Sequence, residues 1–112
     1  MNIDQFLVSK QPLERQVTLP DGTQHTLYFL EPTAADIRRI IFAEQSNDEN
    51  QRLYASQELV AACLYDPILK RRVFDDPDHP HKHRELKFEA SEAMARAILD
   101  IAKVPQQKKA SP

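Results

Sequence analysis

The chain predicts an α+β fold, with an N-terminal β-hairpin packed against a small bundle of three main α-helices in a single domain. Three observations carry that expectation. The only glycine, Gly22, falls in Pro20-Asp21-Gly22, between two arms rich in β-branched, aromatic and aliphatic residues. Glu31-Pro32-Thr33 ends the second arm and opens a helical pattern, with Ile37, Ile40 and Ile41 at i, i+3 and i+4. Two later stretches, from about Gln51 to Tyr65 and from Ser91 to about Lys103, carry helical signals and end near prolines.

Taken in order, Asn2 to Val8 suits one or two helical turns, with Ile3, Phe6 and Leu7 on one side and Asn2 as a cap. Ser9 to Leu13 is a connector holding Pro12. In the hairpin, Val17-Thr18-Leu19 leads in and Thr26 to Leu30 leads out. Pro20 presets φ, Asp21 bonds its own backbone, and Gly22 takes the positive φ that a tight turn requires. Pro32 keeps Glu31 extended and stops the strand. Thr33 caps the first helix, Asp36 completes a short capping box, and Arg38 and Arg39 lie on the wet side.

Ser46 to Asn50 has no apolar residue and predicts a loop. The second helix follows, with Leu53, Val60 and Leu64 on one stripe and alanines that let a neighbour approach closely; it is expected to be the most buried. Asp66-Pro67 ends it. Ile68 to Phe74 fits a turn, a short strand or an extended loop. Asp75 to Arg84 is a loop with no apolar anchor, after which Leu86 and Phe88 re-enter the core. Ser91 and Glu92 open the third helix, with Met94, Ile98 and Ile101 inward, Lys103 near its end and Pro105 as its stop. The domain is thus expected to span 1–104, with 105–112 a disordered polar tail.

Bulk properties narrow the function classes. With 112 residues, 41% hydrophobic and 29% charged, the chain is an ordinary globular domain. Its formal net charge of -2 and lack of a basic stripe speak against nucleic acid, since Lys70-Arg71-Arg72 is soon followed by Asp75 and Asp76. No apolar run approaches the roughly 20 residues of a membrane span, and Met1 to Lys10 lacks a signal-peptide layout. A single cysteine, Cys63, fits a reducing compartment, so the expectation is cytoplasmic.

The chemical candidates are few. His79, His81 and His83, with Asp75, Asp76 and Asp78, offer metal-binding side chains, but a Pro-broken loop fixes geometry poorly and a solvated connector is the simpler reading. Cys63, with a base such as His25, suggests a nucleophile, yet its mid-helix apolar surroundings favour a core residue. Asp66, Asp75, Asp76 and Asp78 are placed to cap and turn rather than to form a two-carboxylate site. One glycine rules out GxGxxG and P-loop motifs, and HExxH, GxSxG and CxxC are absent. The expectation is no enzyme, no metal and no cofactor. Phe42, Tyr54, Phe74 and Phe6-Leu7-Val8 are hard to place in one small core: either they complete it, or some line a groove for another protein's helix.

The order of these signals resembles the tail assembly chaperones of long-tailed bacteriophages and prophages. The matching residues are the Val17-Thr18-Leu19-Pro20-Asp21-Gly22 hairpin and the Leu30 to Asp36 passage, similar to that family's "reltaaer"-like way into a helix. A central helix ending in Tyr65-Asp66, a short basic stretch and Val73-Phe74-Asp75-Asp76-Pro77-Asp78 complete the pattern, over roughly 16–104. The chain departs from it in Asp66-Pro67, where relatives commonly carry a nearby glycine, and in its histidine cluster.

The resemblance implies a non-enzymatic chaperone in the bacterial host cytoplasm. It would bind the helix-rich tape measure protein, help recruit the tail tube protein, and leave before the tail is complete. It also implies a longer, frameshifted form, for which the tail after Pro105 is the joining point. A client of repeated amphipathic helices calls for an apolar groove with a charged rim. The expected groove lies between the first two helices and uses Ile37, Ile41, Phe42 and Tyr54, with Phe6 covering it in the free protein. The alternatives are a small cytoplasmic adaptor or regulator of antitoxin type, or a metal-binding module built on the histidine loop. Oligomeric state is not legible.

Overall fold

Local signals set the first half of the structure. Strand β1 (Leu13–Thr18) and strand β2 (Gln24–Phe29) pair antiparallel from Leu13↔Phe29 to Thr18↔Gln24. Between them Gly22 N–H donates to the Leu19 carbonyl at 2.9 Å, and Leu19 N–H donates to the Thr23 carbonyl at 2.9 Å. Gly22 has φ 85°, the left-handed residue that lets a tight turn rejoin a twisted hairpin. Asp21 accepts from the Thr23 backbone and hydroxyl, and those bonds hold its carboxyl below the usual range.

Thr33 starts helix α1 (Ala34–Gln45) with a complete capping box: Thr33 Oγ1 accepts from Asp36 N–H at 3.2 Å, and Asp36 Oδ2 accepts from Thr33 N–H at 3.0 Å. Helix α2 (Glu49–Cys63) runs straight into strand β3 (Leu64–Asp66), followed by strand β4 (Arg71–Arg72) and helix α3 (Phe88–Ile101). The computed structural model describes residues 3–103. The tail expected over 105–112, the Pro105 stop and the Asn2 cap fall outside them.

The expected α+β class holds, with a larger sheet than the hairpin alone. Four antiparallel strands lie in the order β1-β2-β3-β4, and α1 and α2 are inserted between neighbours β2 and β3. Val17 and Phe29 point from the sheet into a core shared with Ile40, Ala43, Leu59, Val60, Cys63, Met94 and Ile98. α2 touches both other helices and therefore organises the packing.

Several expectations are corrected. β1 begins at Leu13, earlier than the hairpin arm read from the sequence, because Leu13 pairs with Phe29 and closes the ladder. The polar loop is shorter than Ser46 to Asn50, since Asp48 caps α2 by accepting from Asn50 N–H at 2.9 Å. The second helix stops at Cys63 rather than at Tyr65. Leu64 and Tyr65 pair with Phe29 and Tyr28, and Leu30 N–H donates to the Cys63 carbonyl at 2.7 Å, so sheet pairing takes over the helix end. Its inner face is Ala55, Ser56, Leu59, Val60 and Cys63, whereas Leu53 is only half-buried.

Ile68 to Phe74, left open by the sequence, forms a turn and then β4. Asp66 accepts from Ile68 and Leu69 N–H at 2.8 and 3.1 Å, and Lys70 takes φ 57°. The third helix begins at Phe88 rather than Ser91. Ser91 is fully buried, and its hydroxyl donates back to the Lys87 carbonyl at 2.9 Å. Phe88 stays partly exposed, at 38%, while Leu86 packs on the core. The loop before it does have an anchor, and it is a histidine.

Candidate partner-binding groove

α1 and α2 form a helical hairpin joined by Ser46-Asn47-Asp48, and a groove of about 310 Å³ opens between them. Ala43 and Ala55 are buried and form its floor; Phe42 and Tyr54 are its walls, 72% and 49% exposed. Small residues on the floor keep the helices close, so the two large rings stand up at the edges. Asn50 and Gln51 line the end near the connecting loop, and Arg39, one turn earlier on α1, lines the other. Among the described residues, no acidic side chain lines the groove.

Of the residues expected here, Phe42 and Tyr54 are brought together and the others are not. Ile37 and Ile41 are absent from the lining. Helix geometry gives the reason: successive residues turn by about 100°, so Ile41 stands about 160° round α1 from Ala43. Ile37 lies one turn before Ile41 on that same far flank, half-buried. Phe6 sits in the 3-10 turn Ile3–Phe6 and is 70% exposed; it too is absent from the lining. The connector after it is held at Ser9, whose N–H donates to Glu31 Oε2 at 2.6 Å.

The sequence missed Arg84. Its guanidinium carbon lies 5.7 Å from the centroid of the Tyr54 ring, a cation–π contact on the groove wall. The backbone beneath it is fastened to α2. Gln57 Nε2 donates to the Arg84 and Leu86 carbonyls at 3.0 and 3.1 Å. His83, 6% exposed, meets Glu58 Oε1 at 2.8 Å through Nε2, with the Phe74 ring edge-on at 6.1 Å. Arg39 and Gln51 were not singled out either, although their place three residues before Phe42 and Tyr54 was the signal for them. Arg84 had no such signal, because nothing local ties it to α2.

The other chemical candidates have structural partners. His83 points into the Glu58 contact and His79 bonds Asp76 at 3.1 Å. Among the described residues, no group of three or more His, Cys, Asp or Glu is placed to hold a metal ion. Asp76 also accepts from Asp78 N–H at 2.9 Å, and the His79 bond first, then this one, holds its carboxyl below the usual range. Asp66 serves its turn. Cys63 is buried, and burial, with a smaller push from the Asp36 carboxylate, raises its thiol to about 12. Such a thiol stays protonated and is a poor nucleophile. His25 is exposed on β2 and bonds the Thr23 hydroxyl at 2.9 Å.

A second cleft, about 240 Å³ and polar, lies beside the His83–Glu58 contact, with Arg39 and Arg72 among its lining. Among the described residues no helix is long and apolar enough to cross a membrane. No protein-family model, curated protein or solved structure matches this chain.

Proposed function

We propose that this protein is a non-enzymatic tail assembly chaperone of a long-tailed bacteriophage or prophage, acting in the host cytoplasm. It holds apolar helical segments of the tape measure protein and promotes assembly of the tail tube protein around them. The observation that carries the reading is the groove between α1 and α2, where two large rings remain exposed over an alanine floor. A helix presenting one or two anchor side chains suits such a site, and loss of water from Phe42 and Tyr54 would drive docking. A single small groove gives weak binding, which lets many copies coat a repetitive client and be displaced as the tube closes. The order along the sequence of hairpin, Thr33 cap and Tyr65-Asp66 supports the resemblance to that family, although α2 itself ends at Cys63.

The test is co-expression of the tagged protein with neighbouring tail genes, followed by capture and mass spectrometry. The expected result is recovery of a long helical tape measure protein, lost in Phe42→Asp and Tyr54→Asp variants that keep the wild-type circular dichroism spectrum. Client recovery unchanged in both variants would move the site elsewhere. Recovery of a small toxin-like protein instead would favour an adaptor of antitoxin type over the chaperone.

A further inference from the structure

We infer that the groove selects helices whose apolar anchor is flanked by a carboxylate, which Arg39 and Arg84 read; this rests on the helix-docking reading above. The chain as a whole is slightly acidic, yet among the described residues no acid lines the groove; one guanidinium, Arg39, lines it, and a second, Arg84, stands against the ring of its Tyr54 wall. Each has a nearby carboxylate that is committed to a shorter contact. Arg39 Nη1 is 3.8 Å from Asp36 Oδ1, while Asp36 Oδ2 accepts from the Thr33 N–H and hydroxyl at 3.0 and 2.9 Å. Arg84 Nε is 3.8 Å from Glu58 Oε1, while that oxygen lies 2.8 Å from His83 Nε2. Both arginines are half-exposed and held at ion-pair rather than hydrogen-bond distance, so their forked donors remain able to take a carboxylate from a partner.

The backbone bonds from Gln57 give Arg84 a fixed origin, and its contact with Tyr54 directs the charge to the groove wall. A partner helix that seats an apolar side chain between Phe42 and Tyr54 brings its next turn to these cations. Acidic side chains one turn from the anchor are therefore favoured, and basic ones are repelled. Half-exposed pairs contribute modestly, so two of them set a preference of about tenfold rather than the affinity itself. Salt weakens it, because the rim stays wet.

The experiment uses the full chain and three labelled amphipathic peptides with one shared Leu/Phe stripe, flanked by Glu, Gln or Lys. Binding is read by fluorescence anisotropy at low and high salt. We expect the Glu peptide to bind about tenfold more tightly than the Lys peptide at low salt, with the ratio shrinking as salt rises. That ratio should collapse in the Arg39→Gln, Arg84→Gln double variant, and Phe42→Asp should weaken all three peptides.

Equal binding of the three peptides would overturn the charge preference while leaving the groove reading intact. A Glu preference unchanged in the double variant would also overturn it. Absence of binding by every peptide would remove the groove reading, and this inference with it. Self-association that is relieved by Phe42→Asp would identify the occupant as a second copy and overturn the inference.

Discussion

Gly22 is held at φ 85° in open space, where an added Cβ would meet nothing within 4 Å. The cost of Gly22→Ala is therefore one of backbone conformation alone, about 1 kcal/mol, and the urea midpoint should fall with the denaturant slope unchanged. Residues of this kind were legible because their reasons are local. Gly22 answers to its own φ, and Thr33 to a donor three residues on. His83 and Gln57 were illegible for the opposite reason. Their partners lie 25 and 27 or more residues away, and no spacing rule connects a proline-rich loop to a helix at that distance. Buried polar side chains of this sort hold the structure together only in pairs, so neither member signals its role alone.

At the scale of elements, the loop before α3 depends on α2 for its shape. Gln57→Leu fills a similar volume but withdraws the donor from the Arg84 and Leu86 carbonyls. Its cost should reach about 1–3 kcal/mol. Amide exchange should rise across the 3-10 helix Lys82–Glu85 more than in α1. The start of α1 could be read from its cap, but the bounds of α2 could not. Its inner face mixes Leu59 and Val60 with the small residues Ala55, Ser56 and Cys63, which leaves no strong apolar stripe to follow. Its end is decided by pairing with β2, and the Asp66-Pro67 signal comes only after that pairing is made. The exposed rings of the groove were legible as a surplus of large apolar residues. Which of them share a face needed the true rotation of α1, which sets Phe42 beside Tyr54 and turns Ile41 away.

At the scale of the molecule, sheet and helices meet around Cys63, between the end of α2 and the start of β3. Cys63 is 1% exposed, so a thiol reagent at neutral pH should label it only as fast as the protein opens, and at once in denaturant. The thiol keeps its proton in the folded state up to about 12, whereas an unfolded cysteine loses it near 9. Between those values the unfolded chain binds fewer protons, so this group makes stability fall as pH rises above about 9. A urea titration series should show that slope reduced in Cys63→Ala. The passage from α2 to β3 occurs with no intervening residue, Cys63 ending one and Leu64 beginning the other. One extra residue at that joint would turn β3 over, or rotate α2 by about 100° and carry Tyr54 off the groove. The helix cannot twist without the ribbon slipping, so the sheet acts as the gauge block against which the width of the groove is cut.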